Sequence, residues 1–185
     1  MITKCKSDIV TCLRNKGIEP EVRMSSNFNP DRSDIYNAKF GIDYIKSSTS
    51  YYVHTSNKNQ NEWWDIDFKK PVILSGYRIK ARDFCRWIYK WRTELSFNGE
   101  NWTEMESYTG YTLESTIYNI SFQYPVRMFK IVGSNDVCSG YGTGYLAFIN
   151  IKFFGDIIDM GCSYKNQNTN INSSPYILFI LIAFN

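Results

Sequence analysis

His54 is the single histidine of this 185-residue chain, so any Ser-His-Asp relay would have to be built around it. It stands at the end of the run Tyr51-Tyr52-Val53-His54, where a packed or rim imidazole is the expected role. Asp65 and Asp67 fall on one face of a period-two segment and could mimic the paired carboxylates of a glycosidase. Nothing else in the chain supports that chemistry, and the pair reads as solvated charge on a strand face. Gly140-Tyr141-Gly142-Thr143-Gly144 is rich in glycine but lacks the lysine and helix that complete a phosphate loop. It reads as a loop between strands. The combination left over is Arg82, Arg86 and Lys90 around Trp87 and Tyr89, which mixes cation donors with flat apolar surface. Such a mixture suits an anionic sugar, a phosphorylated peptide or a protein patch. The bland alternative is a solvated loop with its aromatic rings folded inward.

Composition narrows the classes further. Aromatic residues make up 17% of the chain and include 14 tyrosines, more than a core needs, so the surplus belongs at core margins or on a binding surface. The net charge of +3 comes without a sustained basic block, and no nucleic-acid partner is expected. The 5 cysteines include no Cys-x-x-Cys pair, so neither a zinc site nor a disulfide framework is expected. The first residues, Met1-Ile2-Thr3-Lys4-Cys5-Lys6, have no apolar secretory core. Together these features predict a cytoplasmic chain with reduced thiols. Three sequons, at Asn101, Asn119 and Asn172, are set aside on that reading. The apolar run 176–184 is far short of the roughly 20 residues a spanning helix needs. It reads as an extra strand or a loosely packed tail, joined through the Asn-rich spacer 165–170, and membrane association is not expected.

The elements that must position these residues are short strands. Glu62-Trp63-Trp64-Asp65-Ile66-Asp67-Phe68 alternates apolar and polar side chains, as a half-buried antiparallel strand does. Similar strands are predicted over 21–25, 51–55, 73–82, 92–97, 102–106, 116–122, 128–132 and 146–154, with Asn98-Gly99 opening a hairpin turn. A short helix over 7–14, stopped by Gly17, would exist only if packed on the strands. If successive strands run antiparallel, the longer connections 56–61, 83–90, 107–114 and 134–145 gather at one end. The tight turns 69–71, 98–101 and 123–125 gather at the other. Long loops on a rigid scaffold are where binding function resides. The core is predicted to hold Trp64, Ile66, Phe68, Tyr77, Ile79, Leu95, Phe97, Ile131 and Ile151.

Four segments in this order resemble the coagulation-factor type C, or discoidin, domain family. They are Met24-Ser25-Ser26-Asn27, the tryptophan-led strand Glu62–Phe68, the hairpin Asn98-Gly99-Glu100-Asn101-Trp102, and Arg127-Met128-Phe129-Lys130-Ile131 with Tyr145–Gly155. The last is similar to the closing strand of the family's intracellular branch. The resemblance implies a galactose-binding-like jelly roll and a binding or adhesion role. It also implies that any disulfide joining the domain's ends would use Cys5 or Cys12 with Cys162. Some lectin members hold calcium near an Asp-Gly, where this chain has Phe40-Gly41; Asp43 and nearby carbonyls are a thin set for that ion, and no metal or cofactor is expected.

The expectation is therefore an all-β, antiparallel jelly-roll sandwich over 17–157, preceded by a helical extension over 1–16 and followed by a linker and apolar tail over 158–185. Its function would be non-catalytic recognition of a protein or carbohydrate. Contact is assigned to Lys58, Arg82, Arg86, Trp87, Tyr89, Tyr141 and Tyr145. The alternative is a structural domain that stabilises a larger assembly and has no ligand of its own.

Overall fold

The alternating run at Trp63 opens the strand around which the molecule is organised. In the computed structural model, which describes residues 1–27, 29–33, 36–55, 61–81, 90–110, 116–133 and 146–159, this strand extends without a break from Trp63 to Lys80. In chain order the elements are β1 (Ile2–Lys4), α1 (Ile9–Arg14), β2 (Glu21–Met24), β3 (Val53–His54), β4 (Trp63–Lys80), β5 (Lys90–Ser96) and β6 (Thr103–Thr109). They continue with β7 (Tyr118–Asn119), β8 (Val126–Gly133), β9 (Ala147–Phe148) and β10 (Asn150–Ile158), and short 3-10 turns lie at Pro30–Arg32 and Ala38–Gly41. Every ladder between these strands is antiparallel.

β4 belongs to both layers of a sandwich. Its first half lies between β2 and β8, with Trp64 opposite Met24 and Ile131. Its second half lies between β10 and β7, with Tyr77 opposite Phe153 and Tyr118. The partners change beside Lys69, whose φ is 61°, and the Lys69 N–H is held by Asp67 Oδ1 at 2.7 Å. The sequence predicts two strands here; the chain instead runs as one strand through the bend, with a register shift against β8 between Asp67 and Val72. β5 and β6 complete one layer beyond β8, and β1 completes the other beyond β10.

Between the layers the inward residues of one sheet meet those of the other. Phe68 and Phe129 pack edge-on against Phe153 at 5.1 and 5.0 Å, and Trp64 meets Phe148 at 5.5 Å. Trp64, Ile66, Phe68, Tyr77, Ile79, Leu95, Ile131 and Ile151 are buried as predicted. Phe97 is only half-buried, because β5 ends at Ser96 and the chain turns there. The sheet of β4 and β10 closes around Gly155, whose φ of 143° and contact with the Ile73 carbonyl leave no room for a Cβ.

The first sixteen residues are tied to the sandwich. Asp8 caps α1 by accepting from the Thr11 N–H at 3.2 Å, and Ile9, Val10 and Leu13 are fully buried. Gly17, with φ 75°, ends the turn that follows. β1 was not foreseen; three residues with one apolar side chain carry no readable period. It pairs along β10, and Asp159 exchanges backbone hydrogen bonds with Met1 at 2.8 Å.

One redox expectation is corrected. Cys5 and Cys12 form a disulfide, with Cα atoms 5.9 Å apart, rather than standing as free thiols or pairing with Cys162. The short link between β1 and α1 folds the chain back and brings two cysteines seven positions apart within bridging range. Cys85, Cys138 and Cys162 lie outside the described residues.

Candidate functional site

The strand register settles where the long connections are rooted. At the stem of 56–60 the Thr55 N–H donates to the Leu146 carbonyl at 2.9 Å, and the Leu146 N–H donates to Thr55 Oγ1 at 2.8 Å. Leu146 is itself the exit of 134–145. The Gly133 N–H, at the start of that connection, donates to the Glu62 carbonyl at 2.8 Å. Trp91 pairs with Gly133, and Lys90 with Thr109, which joins the stems of 82–89 and 111–115 to the same end. The Ile149 N–H donates to the Lys80 carbonyl at 2.7 Å and fixes the other side of 82–89. All four stems therefore stand at one end of the sandwich.

All seven residues assigned to ligand contact, Lys58, Arg82, Arg86, Trp87, Tyr89, Tyr141 and Tyr145, lie outside the described residues. What the structure shows beside the stems at Lys90 and Thr109 is a cluster of aromatic rings. Trp91 stacks on Tyr108 at 5.3 Å, Tyr108 meets Tyr118 at 4.8 Å, and Tyr118 stacks on Tyr77 at 5.2 Å. The Trp91 indole N–H donates to the Tyr77 hydroxyl at 3.0 Å, and the Tyr108 hydroxyl donates to Glu106. Burial raises the pKa of Tyr77, Tyr108 and Tyr118, so these phenols stay protonated and keep their donors. Tyr108 was placed in a loop by the sequence reading; β6 runs on to Thr109, and the ring packs as a strand residue.

Sequence reasoning missed Glu62 at this end. Its side chain is 2% exposed, and Oε2 accepts from the hydroxyls of Ser25 and, at 2.6 Å, Ser26. Glu62 thus fastens the exit of β2 to the entrance of β4. The available signal was parity: Glu62 sits two positions before Trp64 and shares its inward direction. His54 is 2% exposed and lies between the rings of Tyr36 and Tyr52 at 5.6 and 5.8 Å, a packed position.

The outer face of the larger layer corrects a second expectation. Asp65 and Asp67 are not solvated; they are 2% and 7% exposed. Arg23 makes a bidentate pair with Asp65 at 3.0 and 2.9 Å, and Arg127 does the same with Asp67 at 2.9 and 2.7 Å. The register sets Arg23, Asp65, Lys130 and Glu94 side by side on four neighbouring strands, alternating in sign. Burial raises the Asp65 pKa against the pull of Arg23. At Asp67 burial also pushes upward, but hydrogen bonds from Arg127 and Lys69 outweigh it and hold the carboxyl below its ordinary value. Trp102 lies on this outer face, with Lys130 Nζ 3.5 Å from its ring centroid. Both carboxylates are engaged by cations, and the face has the character of a structural charge ladder.

Asp43 caps a turn by accepting the N–H groups of Ile45 and Lys46 at 3.3 and 3.1 Å. Among the described residues no group of His, Cys, Asp or Glu is placed to hold a metal ion. A groove of about 440 Å³ runs beside α1 and β2, away from the stems. Its Arg14 and Lys69 are paired with Glu19 and Glu21 across it. Among the described residues no helix is long and apolar enough to cross a membrane.

Comparison with known proteins places this scaffold. The family model for the F5/8 type C domain matches residues 22–146, and the chain belongs to that family. No curated protein matches the sequence significantly. Among solved structures, one similar fold is a family 32 carbohydrate-binding module of a Clostridium perfringens family 89 glycoside hydrolase, in complex with GalNAc-β-1,3-galactose. It has a TM-score of 0.60 at 15% identity, covering 74% of this chain and 95% of that one. Another is the family 32 module of Clostridium perfringens NanJ in complex with galactose, with a TM-score of 0.59, 12% identity and coverage of 80% and 97%. An F5/8 type C domain from Bacteroides fragilis gives 0.59 at 17% identity, covering 75% and 93%.

Proposed function

We propose that this chain is a non-catalytic carbohydrate-binding module that takes a galactose-type glycan at the end where its four long connections are rooted. The observation that carries the reading is the register that gathers the stems of 56–60, 82–89, 111–115 and 134–145 at one end of the sandwich. Family membership and the sugar complexes formed by modules of the same fold support it. Lys58, Arg82, Arg86, Trp87, Tyr89, Tyr141 and Tyr145 are the proposed contacts, with Trp87 as stacking surface and Arg86 as hydroxyl or anion donor.

The test is a glycan array followed by titration calorimetry with galactose-terminated oligosaccharides. Trp87→Ala or Arg86→Ala should weaken binding by more than about 1 kcal/mol, roughly fivefold or more in Kd, with thermal stability nearly unchanged. Unaltered binding in the double variant would reject the site. Absence of any glycan ligand, with a protein partner captured instead, would move recognition to that partner. Absence of both would favour a purely structural domain.

The compartment belongs to the same proposal. Disulfides persist where the environment is oxidising, so the Cys5–Cys12 bond weighs against the cytoplasm expected from the sequence. Thiol titration of unfolded protein, prepared without reductant, should find no more than three reactive cysteines of the five. A count of five would restore the cytoplasmic reading.

A further inference from the structure

We propose that Asn101 and Asn119 are N-glycosylation sites, modified as the chain passes through a secretory compartment. Both stand in Asn-x-Ser/Thr sequons, Asn101-Trp102-Thr103 and Asn119-Ile120-Ser121. A sequon is a weak signal alone, and two structural observations strengthen these two. The first is presentation. Asn101 and Thr103 are both exposed, while Trp102 between them is half-buried, its indole N–H donating to the Gly99 carbonyl at 2.9 Å. Asn119 and Ser121 are likewise both exposed, while Ile120 between them is 5% exposed. In each case the acceptor and the hydroxyl are both open to solvent, and the residue between them is anchored. The turn at Asn101 is also held in place: Asn98 Oδ1 accepts the backbone N–H groups of Glu100 and Asn101 at 3.0 Å. The Asn101 and Asn119 carboxamides make no hydrogen bond among the described residues, so modification breaks none.

The second observation is the Cys5–Cys12 disulfide, a bond that persists in oxidising compartments such as the one where this transfer takes place. Transfer joins the asparagine Nδ2 to the anomeric carbon of a lipid-diphosphate-linked oligosaccharide. The anomeric C–O bond breaks, the lipid diphosphate leaves, and the proton lost from Nδ2 is carried away with it. The positions are compatible with ligand binding. Asn101 sits in the β5–β6 turn, at the end opposite the four stems, and Asn119 lies on β7 beside Gly76 in the middle of β4's second half. The third sequon, at Asn172, lies outside the described residues.

The experiment is peptide mapping of the protein purified from the cells that make it, with and without peptide N-glycosidase in heavy-oxygen water. Glycopeptides covering Asn101 and Asn119, each converted to labelled aspartate by the enzyme, are the expected result. Recovery of both peptides unmodified overturns the proposal, and recovery of one unmodified overturns it for that residue. Asn101→Gln and Asn119→Gln, made in a secreting eukaryotic host, should each remove one glycan from the intact mass. Full glycan mass in both variants would also overturn the assignment. Neither outcome depends on whether a glycan ligand is found.

Discussion

The two faces of β4's first half are both buried, yet by different physics. On the inner side Trp64, Ile66 and Phe68 are 0% exposed because a second sheet lies on them. On the outer side Asp65 and Asp67 are nearly as enclosed, with no sheet above them. Arginine and lysine side chains from β2, β8 and the bend of β4 itself lie across them, and their charged ends make the pairs. Alternation in a sequence therefore reports which way a side chain points. It does not report whether water reaches it. An outward carboxylate becomes a buried one when cross-strand neighbours are long and oppositely charged.

Deleting volume on the inner face should have the largest effect. Ile66→Ala should cost about 2–5 kcal/mol in urea unfolding, a large part of a typical domain's stability. A loss below about 1 kcal/mol would mean that the layers do not close on β4 as described. Adding volume next to the same face should cost less. A Cβ at Gly41 would lie 2.6 Å from Cζ2 of Trp64, whose indole N–H is fixed to the Ala38 carbonyl at 2.9 Å. Gly41→Ala should destabilise by about 1–3 kcal/mol, and an unchanged melting temperature would show that the ring has room to move.

The outer face should show itself as a pH dependence rather than a large loss at neutrality. In the unfolded chain both aspartates titrate near about 3.9. Asp67 is held lower in the fold, so its contribution is present above that value and is lost as pH falls through its depressed pKa. Asp65 is held higher, so the folded state binds its proton first, and stability declines as pH rises from the ordinary value toward the raised one. Asp67→Asn should flatten the acid limb of a melting-temperature profile, whereas Asp65→Asn should steepen it. Equal slopes in the two variants would remove the distinction drawn between them.

Strand direction, inward residues and the grouping of connections were legible in the sequence because each rests on local periodicity or on counting. Trp64, Ile66 and Phe68 followed from alternation, and the convergence of the four stems followed from strand parity. The failures have the opposite origin. β1 is too short to show a period, and its pairing with β10 bridges nearly the whole described chain. The Cys5–Cys12 bond depends on how the chain turns between β1 and α1, which cysteine spacing does not disclose. Tyr108 left its predicted loop because Trp91 offers it a stacking partner and Tyr118 an edge-on one.

By itself the sequence determined that this is an antiparallel β domain of the F5/8 type C family, with long aromatic connections at one end. Period-two patterning and a few ordered motifs are one-dimensional properties, and they survive without knowledge of contacts. Only the tertiary structure decided that one strand serves both layers, that Glu62 fastens Ser25 and Ser26 at the loop end, and that two outward aspartates are enclosed with their pKa shifted in opposite directions. Burial and charge compensation are set by which distant side chains arrive at the same place, and that arrangement exists only once the chain has folded.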